Sequence, residues 1–327
     1  MFQPDAWRPS APLGMIRARA AMLSRIREFF QQAGVLEVES PICSRYGATD
    51  PAIDSLKARY TGPGAAQGLD LYLQTSPEFP MKRLLAAGSG PIYQLCKAFR
   101  DGELGRRHNP EFSLLEWYRP GFDHHRLMDE AADLINRLVE TPLAVEKLTY
   151  GEAFEQTLAL DPHTASRERL RGCAIEQGVP SAEDLTIDRR DGWLDLLLSH
   201  RIEPRLGNRG MTFLYDYPAG QAALARVRAG TPAVAERFEL YLSGMEIANG
   251  FHELTDGREQ RRRFDDDNRR RRQSGQRVMP MDEPLLAALT AGMPACAGVA
   301  LGIDRLLMFL TGCSDIRQVL AFDFSRA

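Results

Sequence analysis

Apolar positions along this chain recur every three or four residues in some stretches and every second residue in others, and the changes of period mark its elements. Met15, Ile16, Met22, Leu23, Ile26, Phe29 and Phe30 share one helical face up to Gly34, which predicts an amphipathic helix over 15–34 closed by a glycine. A short strand follows at 35–41, where Pro41 removes a ladder donor and marks an edge or an end. Residues 44–68 carry many Gly, Ala and Pro with little periodicity and read as loop. Residues 71–74 read as a strand. Ser76-Pro77-Glu78 then opens a helix, with Ser as cap and Pro at the first helical position, that closes at Gly88. Two apolar runs, 91–99 and 112–117, flank a segment rich in Gly, Arg and Asn and predict a long-looped antiparallel hairpin. Alternation along its second arm places Phe112, Leu114, Glu116 and Tyr118 on one face, with Arg100 and His108 nearby.

Beyond the hairpin, 126–138 is an amphipathic helix, and short helical patterns near 150–160, 167–177 and 193–202 lead to a strand at 212–217 ended by Pro218. The span 141–235 therefore reads as a helical insertion that returns to a sheet. Ser243-Gly244 joins two strands tightly, pairing Tyr241 with Glu246 and Glu239 with Ala248, so that Glu239 and Glu246 project from the same face. Adjacent carboxylates repel unless a cation lies between them, and oxygen ligands of this kind suit Mg²⁺ held jointly with phosphates; neutralisation by Arg237 is the alternative. Alternation sets Glu253 opposite to Glu246, so a shared pocket requires a bulge, expected at Asn249-Gly250. Residues 258–272 read as a solvated helix of alternating charge blocks, and 297–310 as a small-residue strand turning at Gly302 into a helix near Asp304, with Arg305 placed to face an anion. Residues 1–13 contain three prolines and read as an irregular lead-in.

Composition changes this picture little. An apolar content of 44% over 327 residues supports a large core, and a formal charge of −3 argues against a protein that coats nucleic acid by bulk electrostatics. Four of the basic residues are Lys (Lys57, Lys82, Lys97 and Lys147) and the other 37 are Arg, so Arg counts are discounted as codon bias. Cys43, Cys96, Cys173, Cys296 and Cys313 form no metal-type cluster or disulfide framework, which fits a reducing cytoplasm, and no apolar run suits a membrane span.

Taken together, these blocks resemble the three motifs of the class II aminoacyl-tRNA synthetase catalytic domain, most closely the lysyl branch. The helix ending at Pro41 is similar to motif 1, residues 99–118 to motif 2 and 298–310 to motif 3. The runs Arg-His-Asn-Pro-Glu-Phe at 107–112, Glu-Ile-Ala-Asn-Gly-Phe-His-Glu-Leu at 246–254 and Gly-Ile-Asp-Arg at 302–305 stand in register. The resemblance implies an α+β fold, an antiparallel sheet flanked by helices, occupying 14–327. So little chain precedes motif 1 that an anticodon-binding barrel is not expected, which makes the chain similar to the elongation factor P lysine ligase family.

That resemblance implies ATP and Mg²⁺ as cofactors. Arg100 matches the arginine on the α-phosphate, Phe112 the ring under adenine, and Arg305 the arginine over adenine near the γ-phosphate. His108 and Asn109 match residues near the phosphates and adenine, Glu103 and Gly302 fall in the same nucleotide set, and Glu239 and Glu246 match the Mg²⁺ carboxylates. Ser76, Glu78, Glu116, Tyr118, Asn249, Phe251, Glu253 and Ala300 match the pocket for a lysine-like substrate. Ala300 stands where lysyl-tRNA synthetases usually have Gly, and Gly102 where an acid often follows the motif 2 arginine. The implied activity is activation of (R)-β-lysine as an adenylate and its transfer to a lysine side chain of elongation factor P. A homodimer is expected and tRNA binding is not. The alternatives are a truncated enzyme that charges tRNA, an amide-forming ligase acting on a free small amine, and a non-catalytic synthetase-like regulatory protein.

Overall fold

The helix expected at 15–34 runs over Leu13–Gln32 and buries Met22, Ile26 and Phe30. In this computed structural model, residues 7–327 are described, and the part of the expected lead-in at 1–6 lies outside them. They form two compact units: the residues up to Gly121 together with Thr255–Ala327, and Phe122–Leu254.

In the first unit the Phe30 ring stacks on Tyr93 with centroids 4.4 Å apart and meets Trp117 edge-on at 5.5 Å. Burying such rings stabilises by about 1.5–3 kcal/mol each, which fixes the helix on a sheet formed by Leu36–Glu37, Ile92–Phe99, Glu111–Pro120 and Cys296–Gly302. The first two strands pair in parallel and the others antiparallel. The strand expected at 35–41 is reduced to two residues at this edge. The stretch read as loop holds Lys57–Tyr60, which pairs with Leu69–Leu73 in a separate small sheet that also contains Cys43–Ser44. Its period was hidden because the strand is largely exposed and cross-strand charge supports it: Lys57 Nζ lies 2.5 Å from Asp70 Oδ2.

The helix Gly257–Gln273 is not solvated all round as the charge blocks suggested. Gln260, Phe264, Asn268 and Arg271 form a buried face. Arg271 is fully buried; it donates from Nε to the Arg277 carbonyl at 2.6 Å, from Nη1 to the Asp50 carbonyl at 2.8 Å, and from Nη2 to the Asp54 carboxylate. The guanidinium thus fastens residues 50–54 to this helix.

The second unit pairs Val145–Thr149 in parallel with Met211–Pro218, which continues antiparallel into Val234–Leu242 and then Met245–His252. The helices Tyr150–Leu158, Arg167–Glu176 and Arg190–Leu197 bury Phe154, Leu170 and Trp193 in a core shared with Leu214, Tyr217 and Tyr241 of the strands. In both units the sheet is mostly antiparallel with helices against it, an α+β arrangement as expected.

Candidate functional site

In the first unit the hairpin forms as read, with Ala98 opposite Phe112, Gln94 opposite Glu116 and Ile92 opposite Tyr118. At its mouth the Arg100 guanidinium lies 5.0 Å from the Phe112 ring centroid, and Arg100 Nη1 is 3.5 Å from Glu103 Oε1. Gly102 adopts φ +80°, a left-handed value that a side chain would strain, which accounts for Gly where the pattern favours an acid and leaves Glu103 to pair with Arg100. Arg100 Nε is buried without a hydrogen-bond partner, a donor that suits an anion such as a phosphate. Arg305, in the first turn of the helix Ile303–Thr311, donates to His108 Nε2 at 2.7 Å, so that nitrogen accepts and the ring is neutral. Burial first, then the Arg305 charge, pushes the His108 pKa down. Gly302 precedes that helix and pairs with Leu114. Asn109 is committed to the fold: its amide nitrogen donates to the Glu111 carbonyl at 2.6 Å and its oxygen accepts from Phe324 N at 3.0 Å.

Farther along the same arm is a carboxylate cage. Glu116 accepts from Ser76 Oγ at 2.6 Å and from Tyr118 Oη at 2.7 Å, and Ala300 is its cross-strand neighbour. Burial, and then the charge of Glu78, pushes the Glu116 carboxyl up to about 7. Glu78 does not stand open as a substrate ligand: buried Lys82, one helical turn on, donates to it at 2.6 Å. Lys82 was not singled out from the sequence, although its spacing of four from Glu78 is the signal of a helical ion pair. Ser76 accepts from Glu78 N at 3.0 Å as expected, but the helix starts at Glu78, with Pro77 just before it.

In the second unit the acidic hairpin forms with a corrected register. Tyr241 pairs with Glu246, whereas Glu239 pairs with Asn249 and not with Ala248. The register shifts between Leu240 and Tyr241, so the extra residue is Ile247 and the bulge precedes Asn249-Gly250. That single insertion sets Glu239, Glu246, Asn249 and Phe251 on one face. Glu253 lies beyond the strand, buried, where it bridges to Ala225. Arg237 shares the face and donates to Glu239 Oε1 at 2.5 Å and Asn249 Oδ1 at 3.3 Å, so the neutralising role weighed for it holds for Glu239. Tyr241 covers the other Glu239 oxygen at 2.5 Å.

This face opens on a recess of about 440 Å³ lined by Ile187, Asp195, Tyr217, Arg237, Glu239 and Glu246. Asp195, contributed by the helix Arg190–Leu197, was missed because nothing local ties it to the hairpin; burial pushes its carboxyl up to about 6 against the pull of Arg237. With Glu203, which also lines the recess, four carboxyls stand here against one guanidinium. Hard oxygen donors with surplus acid fit a hydrated Mg²⁺.

Among the described residues no helix is long and apolar enough to cross a membrane. A family model for class II tRNA synthetases (D, K and N) matches residues 6–326. The chain is 53% identical over 324 residues to an elongation factor P–(R)-beta-lysine ligase of Pseudoalteromonas translucida, covering 99% of each chain. It is 49% identical to the ligase of the same name in Klebsiella pneumoniae (strain 342), and 48% identical to that of Salmonella heidelberg, each over 327 residues and the full length of both chains.

Proposed function

We propose that this chain, which belongs to the class II tRNA synthetase family for D, K and N, is an ATP-dependent ligase that joins (R)-β-lysine to elongation factor P through an adenylate. The observation that carries this reading is full-length identity of about half with ligases of that name, together with Arg100, Phe112 and Arg305 gathered at one hairpin mouth. The substrate carboxylate attacks the α-phosphorus of ATP and pyrophosphate leaves. The ε-amine of an acceptor lysine then attacks the acyl carbon, AMP departs and the amine loses a proton.

Each role belongs to a named group. Arg100, with its unpartnered Nε, binds the α-phosphate and steadies its growing charge, and Arg305 serves the terminal phosphate from a helix N-terminus. Phe112 offers adenine a ring face, with Glu103 orienting Arg100 and neutral His108 orienting Arg305. Glu239 and Glu246 would hold Mg²⁺, which neutralises phosphate charge when bound. Glu116, held by Ser76 and Tyr118, receives an ammonium of the lysine-like substrate; Glu78 stands near it with its charge offset by Lys82. Ala300, beside Glu116, narrows that pocket, and Asn249, Phe251 and Glu253 are assigned to the substrate by their likeness to the family motif. The reading includes a homodimer, by likeness to motif 1, and a cytoplasmic setting that suits five free thiols.

The test is lysine-dependent exchange of pyrophosphate into ATP. Arg100→Ala is expected to lower exchange by at least about a hundredfold, the scale on which removing a transition-state donor acts. Near-normal exchange in that variant would sink the assignment.

A further inference from the structure

On the opposite face of the acidic hairpin, within the second unit, His124, Glu236 and His252 bring one imidazole nitrogen each and a carboxylate oxygen to within 4.8 Å of one another. His124 opens the helix His124–Leu138, Glu236 lies in the strand Val234–Leu242 and His252 ends the strand Met245–His252. His124 is 1% exposed, and neither of its ring nitrogens makes a hydrogen bond. An imidazole buried with both nitrogens unused is costly, and an ion removes the cost. Nε2 of that ring is 3.4 Å from Asp216 Oδ1, itself buried without a hydrogen bond. His252 Nδ1 stands 2.8 Å from Glu236 Oε2, again without hydrogen-bond geometry. Nitrogen and oxygen atoms brought together without hydrogen-bond alignment leave lone pairs available to one shared ion.

We propose that His124, Glu236 and His252 bind a borderline divalent metal ion of the Zn²⁺ type, with water completing its shell and Asp216 Oδ1 beside the His124 ring as an outer partner. Two imidazoles and a carboxylate are a donor set for Zn²⁺ and not for Mg²⁺, which takes oxygen, so the site differs in kind as well as in place from Glu239 and Glu246. Tetrahedral bonds of about 2.0–2.2 Å set ligand atoms roughly 3.3–3.6 Å apart, so small side-chain rotations would close the wider spacings and open the 2.8 Å His252–Glu236 pair slightly. The competitor is Arg226, which donates to both Glu236 oxygens at 2.7 and 3.1 Å; its side chain is half exposed, so its release to water costs little. Arg228, 3.5 Å from Glu236 and also paired with Asp216, can turn outward in the same way. The ion would tie the start of the 124–138 helix to the strands that carry Glu236 and His252, a structural role that leaves the acidic face untouched.

The test uses the full chain, stripped with a chelator, and Zn²⁺ alone as probe, read by competition with a chromophoric chelator and by thermal unfolding. One equivalent is expected to bind and to raise the melting temperature. His124→Gln and His252→Gln are each expected to lose affinity by more than about a hundredfold, because even outer partners of metal ligands are worth about 10–100-fold. Glu246→Gln is expected to keep the equivalent. Circular dichroism of the two His variants separates loss of a ligand from loss of the fold, and His252→Gln, at a partly exposed position, is the safer of the two. Wild-type binding below one equivalent, or an equivalent retained in both folded His variants, overturns the proposal.

Discussion

Glu116 shows how much one carboxyl depends on what surrounds it. Burial and the neighbouring Glu78 charge raise it to about 7, so near neutrality it carries a proton in part of the molecules. A folded-state pKa above the unfolded value favours the protonated fold, so this group's contribution is full below about pH 4.5 and is lost as pH rises through about 7. Substrate works in the other direction, because an ammonium pairs with the ionised form. Binding of lysine or β-lysine near pH 7 is therefore expected to release protons, and affinity to rise from about pH 6 to about pH 8. Calorimetry in buffers of different ionisation enthalpy measures the release directly. Glu116→Gln is expected to abolish it and to weaken binding by about 2–5 kcal/mol, thirtyfold or more, as an unpaired buried charge dictates. The alternation that set Glu116 and Tyr118 on one face was legible in the sequence, because period two is a local property of a strand. The pair of Glu78 with Lys82 is equally local, at helical spacing.

At the scale of elements, the bulge at Ile247 does the most for the site. A strict ladder would turn Glu246 away from Asn249 and Phe251; one extra residue returns it to their face. That a bulge was needed followed from alternation alone, but its position depends on packing across the hairpin, which no local pattern reports. The helix Gly257–Gln273 makes the same point. Its charge blocks hide Arg271, whose burial is set by carbonyls some two hundred residues away in sequence. Arg271→Ala would leave those carbonyls unsatisfied and open a cavity, while the half-exposed Asp54 carboxylate turns to water. A loss of about 2–5 kcal/mol in unfolding free energy is expected, with Arg271→Lys intermediate because one ammonium cannot reach every acceptor. Urea unfolding measures it.

For the whole molecule, the α+β class and the identity of most helices and strands were legible because long amphipathic segments carry their period openly. The Lys57–Tyr60 strand was not, since an exposed strand held by charge has no apolar period to read. Asp195 joins the acidic recess only through the packing of the 190–197 helix on the sheet, a tertiary fact. The chemical reading rests on groups that came from motifs, Arg100, Phe112, Glu116, Glu239, Glu246 and Arg305, and on relatives matched from end to end. The most direct test of that reading is the intact mass of elongation factor P after incubation with this protein, ATP, Mg²⁺ and either α-lysine or (R)-β-lysine, alongside bulk tRNA under the same conditions. The account predicts a gain of one lysyl unit on elongation factor P, faster with the β-isomer, and no charged tRNA. An unmodified elongation factor P beside aminoacylated tRNA would contradict it.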